Sequence, residues 1–290
     1  MKAFSKEAFV NSRDGIDIYY EREGQGRGLL LCDGLLCQGH IWKYFVSALA
    51  NKWECIHWHY PGHGRSDDPL VGSSLSPERL ADDAACVLRA VGGKTVTAIG
   101  HSMGGQVAFE LWHRHRDLVN GLVIICGSPG KIVEGFYDSA VLGGFLPVFD
   151  LFSKVIPEPM RKLWKRLPVD LLSKVAHYSR GVNPRLIRPA DLGEYLSRLN
   201  RVDLKVAIRM LEDAGAHDAT SYLNEIDVPV LVIAGKEDTF TLPERSELMA
   251  SLIPNSELVM VSGGTHSLPI EQPDLVNLRV MRFLQEQVGL

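Results

Sequence analysis

The chain has 290 residues, a net charge of −4, an apolar fraction of 46% and a charged fraction of 23%. That length fits one large α/β domain or one domain carrying an insertion, and that charge offers no basic surface for a nucleic acid. No apolar run approaches the roughly 18 residues of a membrane span, and Met1 to Val10 lacks the apolar stretch of a secretory signal; it is the cysteine usage that favours a cytoplasmic protein.

Ala8 to Ser12 and Ile16 to Glu23 read as strands joined around Asp14-Gly15, a dipeptide that favours a hairpin. Gly28 to Cys32 is a short, wholly apolar strand of the type buried on both faces of a parallel sheet. It ends at Asp33-Gly34-Leu35-Leu36, and a helix follows at about Ile41 to Ala50. Trp53 to Tyr60 is the next strand and closes in the turn Pro61-Gly62-His63-Gly64-Arg65-Ser66. Ser76 as a cap and Pro77 in the first turn introduce a helix to about Val91. Thr95 to Ile99 and Leu118 to Cys126 are further buried strands, with a helix between them from about Gly105. Strands alternating with helices in this way imply βαβ units and a mainly parallel sheet. The five cysteines (Cys32, Cys37, Cys55, Cys86 and Cys126) form no C-x-x-C pair. Cys32, Cys55 and Cys126 fall in apolar runs, so they are expected to be reduced and to pack as small hydrophobes.

The alternation then breaks. From about Lys131 to Tyr222 the segments read as helices. Phe145, Val148, Phe149, Phe152, Val155 and Ile156 share one helical face, and Leu171 to Ser179, Asp191 to Leu199 and Leu204 to Asp213 follow. The run Arg161-Lys162-Leu163-Trp164-Lys165-Arg166 reads as a solvated helix face, with contact to anionic lipid or a charged substrate as the alternative. Strands and helices alternate again at Pro229 to Gly235, Pro243 to Leu252, Glu257 to Val261 and Pro273 to Gln287. The expected organisation is a core of residues 1–130 and 223–290, split by a helical cap over 131–222.

Within the core, Gly100-His101-Ser102-Met103-Gly104 lies between a strand and a helix. Glycines two residues either side of Ser102 remove the side chains that would collide at a sharp turn, which lifts the hydroxyl above the sheet. A serine needs a base to take its proton, and the base needs a partner to hold its ring. Asp238 in Gly235-Lys236-Glu237-Asp238 and His266 in Gly263-Gly264-Thr265-His266 each follow a strand, so both belong on the sheet edge that carries Ser102. Glu237 is a weaker alternative to Asp238, because its neighbour better fits the distance from the strand end. The amides of Met103 and of Leu35, or less directly Leu36, would serve as donors to an oxyanion.

These motifs in this order, G-H-S-M-G-G, A-G-K-E-D and G-G-T-H, together with P-G-H-G-R-S, resemble the α/β-hydrolase superfamily. The likeness covers about residues 14 to 126 and 225 to 285 and is strongest toward capped serine esterases. It implies an eight-stranded, mostly parallel sheet flanked by helices with an inserted helical cap. It also carries the triad onto Ser102, Asp238 and His266 and the oxyanion amides onto Leu35 and Met103. The implied activity is cleavage of a small-molecule carboxylic ester with apolar groups through an acyl-enzyme, without a cofactor. Carbon–carbon bond hydrolysis, cofactor-free perhydrolysis and a receptor with little turnover are the alternatives. Epoxide-hydrolase and dehalogenase chemistry would need a carboxylate at position 102. Asp33, Leu36, Phe145 and Phe149 are expected to line the pocket.

Two departures stand out. Asp33-Gly34 occupies a place where many members carry His-Gly; its carboxylate would either bond neighbouring amides or disfavour anionic groups near the oxyanion site. The run before P-G-H-G, often containing an aspartate, is here His57-Trp58-His59-Tyr60. His57 and His59 share a strand face as an H-x-H pair, but no third ligand of suitable spacing accompanies them, so no metal is expected.

Overall fold

The computed structural model describes residues 6–130, 158–178 and 181–289. Strands β1 (Lys6–Asn11) and β2 (Asp17–Glu23) form the expected antiparallel hairpin. Its turn carries Gly15 at φ 82°, a conformation glycine adopts without strain. They continue into β3 (Gly28–Cys32), β4 (Glu54–Trp58), β5 (Val96–His101), β6 (Val119–Ile125), β7 (Val230–Gly235) and β8 (Ser256–Val261). All eight lie in one sheet in the order β1-β2-β4-β3-β5-β6-β7-β8. The β1–β2 and β2–β4 pairings are antiparallel and the others parallel, so β3 to β8 end on one edge.

The central strands alternate between two buried clusters, as the period of two in a strand requires. Leu30, Ile56, Ala98, Leu122 and Val232 face helices α2 (Pro77–Ala90) and α3 (Met103–Arg114), with Phe109 and Trp112 filling the space between. Leu29, Leu31, Ile99, Val123 and Leu231 face the opposite way. There they meet Phe45 and Leu49 of α1 (Lys43–Leu49). Burial on both faces explains why β3 and β7 are apolar at every position and why β4, β5 and β6 carry few polar side chains.

Between β6 and β7 run α4 (Glu158–Lys165), α5 (Val169–Tyr178), α6 (Pro189–Leu199) and α7 (Leu204–Ala216). Leu192 and Leu196 of α6 join the α1-side cluster, while Val206, Met210 and Ala214 of α7 join the α2/α3 side. Met160 and Trp164 of α4 pack on Leu204 and Ile208. The basic run is not simply a solvated face, because Arg161 pairs with Asp203 at 2.6 Å and with Glu158 at 2.8 Å. Asp203 in turn caps α7 by accepting from the Lys205 amide. The apolar stripe with Phe145 and Phe149 lies outside the described residues.

After β7 come α8 (Pro243–Leu252), β8, α9 (Leu268–Glu271) and α10 (Pro273–Glu286). The short α9 was not foreseen; Pro273 separates it from α10 by excluding a helical hydrogen bond there. Cys32, Cys37, Cys55 and Cys126 are buried and unpaired with one another, as is the half-buried Cys86. Among the described residues no helix is long and apolar enough to cross a membrane.

Candidate active site

The turn from β5 to α3 places Ser102 at φ 55° and ψ −124°, a region that non-glycine residues rarely adopt and that costs about 1–3 kcal/mol. Its neighbours hold it there. The Ser102 amide donates to the Ile125 carbonyl at the end of β6 (3.0 Å), and the Ser102 carbonyl accepts from the Gly105 amide (2.9 Å). A methyl group on Gly100 would strike the Gly104 carbonyl, and one on Gly104 would strike the carbonyl of Cys32 at the end of β3. The helix therefore starts at Met103, two residues earlier than the sequence pattern suggests. Its first amides point out of the helix without internal partners. Gly104→Ala is expected to destabilise the fold by about 1–3 kcal/mol or more, because backbone must move to admit the methyl. Urea unfolding measures this, and an unchanged midpoint contradicts the packing described.

Asp238 and His266 lie on the loops after β7 and β8. His266 Nε2 is 2.9 Å from Ser102 Oγ, and His266 Nδ1 is 3.0 Å from Asp238 Oδ2. The residues that the sequence separates are thus in hydrogen-bond contact, while the competing Glu237 is exposed. Asp238 is 2% exposed and its carboxylate is fully engaged. Oδ1 accepts the amides of Phe240 (2.8 Å) and Thr241 (2.9 Å), and the Thr241 hydroxyl lies 2.7 Å from Oδ2. Burial works against the Asp238 charge, but His266 and the Thr241 donors outweigh it and hold the carboxyl below its usual range.

Two contributors escaped the sequence reading. Thr241 is 3.3 Å from His266 Nδ1 and 2.7 Å from the Cys126 carbonyl, tying the Asp238 loop to the end of β6. A D-x-x-T spacing is the only signal it carries. His101 places Nε2 2.8 Å from the His266 carbonyl oxygen, so that nitrogen donates. Burial, and then the nearby His266, push His101 down to about 4, which keeps its ring neutral. Phe240 packs edge-on against the His266 ring at 5.2 Å, and Gly181, between α5 and α6 of the helical insertion, lies directly on Phe240.

The loop after β3 passes over the elbow: a methyl on Gly34 would sit 3.1 Å from Ser102 Cβ and 2.9 Å from His101 Nδ1. Leu35 and Leu36 are half-buried, and Leu36 takes φ 62°. Among the described residues the amides of Leu35 and Met103 have no hydrogen-bond partner, which leaves both available as donors. Asp33 does not act as a free pocket carboxylate. It accepts from the Gly39 amide (2.9 Å) and from Trp42 Nε1 (2.8 Å), and it faces His57 Nε2 at 3.0 Å. Of the two roles weighed for it, bonding to neighbouring groups is the one the geometry matches, through one amide of its own loop and two side chains from outside it, and the expectation of a pocket-lining group is corrected accordingly.

The H-x-H pair does have a carboxylate beside it, contrary to the sequence reading. Glu21 pairs with His57 across β2 and β4, and ligand atoms of Glu21, His57 and His59 lie within 4.8 Å of one another. An antiparallel register, not chain spacing, creates the trio. Both nitrogens of His57 already face carboxylates. His59 Nδ1 accepts the Arg65 amide at 2.9 Å, so its other nitrogen carries the proton and offers no lone pair. The donor set does not fit a metal ion.

A family model described as the alpha/beta hydrolase family matches residues 30–279. RutD of Azorhizobium caulinodans, whose assignment as a carbamate hydrolase is provisional, is 26% identical over 280 residues, covering 93% of this chain and 96% of that protein. A non-heme chloroperoxidase of Kitasatospora aureofaciens is 25% identical over 280 residues, covering 95% and 98%. The crystal structure of an esterase from a Rhodococcus species superposes with a TM-score of 0.77 at 21% identity, covering 97% of this chain and 99% of that one.

Proposed function

Since the chain belongs to the alpha/beta hydrolase family, we propose that it is a serine hydrolase cleaving carboxylic esters with apolar groups. The observation that carries this reading is the unbroken line from Asp238 through His266 to Ser102, with gaps of 3.0 and 2.9 Å. In this reading Ser102 Oγ attacks the ester carbonyl carbon while His266 Nε2 takes its proton. The carbonyl oxygen becomes an oxyanion held by the Leu35 and Met103 amides. His266 then returns the proton to the leaving alcohol as its C–O bond breaks, which leaves an acyl group on Ser102. A water molecule, deprotonated by His266, repeats the attack and releases the acid. Asp238 keeps the Nδ1 proton in place and stabilises the imidazolium at each stage.

We assign residues 131–222 as a cap roofing the site, with Leu36, Phe145 and Phe149 lining an apolar pocket. The reaction needs no cofactor, and the cytoplasm is the compartment that fits five thiols without disulfides. A panel of p-nitrophenyl esters from acetate to laurate, run on the wild type and Ser102→Ala, tests the reading. Multiple turnovers by the wild type alone are the expected result. Stoichiometric modification without turnover would instead favour a receptor.

The chloroperoxidase relative favours one second reading. Hydrogen peroxide in place of water would attack the acyl-enzyme and give a peroxy acid. Peroxy acid formed at a rate comparable with ester hydrolysis, when peroxide is added to the same assay, would support it.

A further inference from the structure

A buried row of charged groups lies behind the loop that carries the Leu35 amide, and the reaction proposed above does not use it. Asp33 is 2% exposed and His57 1% exposed. His57 Nε2 is 3.0 Å from Asp33 Oδ2, and its Nδ1 is 3.0 Å from Glu21 Oε1. With a carboxylate at each ring nitrogen, both nitrogens donate only when the imidazole is a cation. The other oxygen of Glu21 accepts from the Tyr19 hydroxyl at 3.0 Å. Burial works against the charge on His57, but Asp33 and then Glu21 outweigh it and push the group up to about 9. Burial likewise opposes the charge on Asp33, and His57 with the Gly39 amide holds that carboxyl below its usual range.

Asp33 closes the loop at both ends. Its side chain holds the Gly39 amide and the Trp42 indole, and its own carbonyl accepts from the Tyr60 hydroxyl at 2.7 Å. Between these points the Cys37 amide donates to the Gly34 carbonyl (3.1 Å), and Leu36 sits at φ 62°. A leucine remains in that conformation only where its surroundings hold it. The direction of the Leu35 amide therefore depends on the Asp33 carboxylate.

We infer that His57, a cation between Asp33 and Glu21, is a positioning residue that locks Asp33 and so fixes the 33–39 loop with the Leu35 amide aimed at the reacting oxygen. The role given to Leu35 rests on the ester-hydrolase reading. Titratable groups facing His57 include Glu21 from β2, Asp33 from the end of β3 and His59 from its own strand, 5.3 Å ring to ring, with Tyr19 behind Glu21. Burial, followed by the charge of His57, presses His59 down to about 3, so it is neutral at neutral pH, where His57 is charged.

The folded-state value of His57 lies above the ordinary 6.5, so the lock is complete at neutral pH and is lost as pH rises through about 9. Losing it turns a lone pair toward one carboxylate and frees the loop. Oxyanion donors act on the transition state, so kcat should fall on that alkaline limb while KM changes little. His57→Gln should lower kcat about tenfold to a hundredfold, less than the 10²–10³ lost with a whole oxyanion donor, and should abolish the limb. Glu21→Gln, which leaves the Asp33 contacts in place, should shift the limb to lower pH.

The experiment is a pH series of kcat and KM on a p-nitrophenyl ester for the wild type, His57→Gln and Glu21→Gln, with Ser102→Ala beside them. The His57 N–H protons are followed in parallel by NMR on histidine-labelled wild type. A doubly protonated His57 persisting to about pH 9, with the limb moving as described, supports the lock. A His57 that is neutral at pH 7, or a limb unmoved by Glu21→Gln, overturns it, even if His57→Gln fails to fold. The rate of Ser102→Ala decides the ester reading separately, and the NMR titration needs no activity at all.

Discussion

Ser102→Ala is expected to leave a folded chain whose ester hydrolysis is slower by about 10⁴- to 10⁶-fold. The backbone bonds that hold the turn, from the Ser102 amide to Ile125 and from Gly105 to the Ser102 carbonyl, do not involve the side chain. Alanine meets the same cost at φ 55° as serine, so the unfolding midpoint should stay near that of wild type. The hydroxyl contributes one contact among the described residues, to His266. What remains after its removal is binding and the two oxyanion amides, which give some rate over water but no acyl-enzyme. Steady-state rates with one ester, at equal concentrations of folded protein, are the check. A loss of less than tenfold would mean that another group carries the chemistry.

Asp238→Asn should lower kcat by about 10⁴-fold with little change in KM, for a reason specific to this site. Oδ1 of Asp238 accepts two amides, those of Phe240 and Thr241, so an asparagine must keep its carbonyl oxygen there. Its NH₂ group then occupies the Oδ2 position, 3.0 Å from His266 Nδ1. A donor at that place forces the His266 proton onto Nε2, where it faces Ser102 Oγ and cannot accept a proton. The Thr241 hydroxyl, displaced from Oδ2, can still donate to Cys126, so the loop should hold. The same carboxylate should matter for acid stability. Its folded-state value is lowered, so its contribution is present above the ordinary aspartate range and is lost as pH falls through the folded value. Wild type should therefore lose part of its advantage over Asp238→Asn in acid unfolding. Near-wild-type kcat in the variant would contradict the role given to Asp238.

The elbow was legible because its signal is local: β-branched residues, three glycines at fixed offsets and a helical pattern are all contiguous. Asp238 and His266 were legible because each closes an apolar strand, and parallel strands end on one edge. The contacts that tune them were not. Thr241 and His101 act through carbonyls of Cys126 and His266, which no chain spacing reveals. Glu21 reaches His57 through the register of an antiparallel pair, and a one-residue slip would have turned it to the other face. Asp33 is visible in the sequence as a carboxylate in the loop after β3, but its partners Trp42 and His57 belong to elements that only packing brings together. In the helical insertion, helix positions were readable from periodicity. Which core cluster each helix joins, as with Leu196 and Met210, was not, since both sides of the sheet present apolar surface.

The reactivity of one oxygen tests the triad most directly. Incubation with a fluorophosphonate, followed by intact-mass measurement and peptide mapping, should show a single adduct per chain, with the Ser102 oxygen bonded to phosphorus in place of fluoride. His266→Ala should label far more slowly, although its serine is intact. An unlabelled wild type, or an adduct mapped to any other residue, would contradict a nucleophilic Ser102 activated by His266.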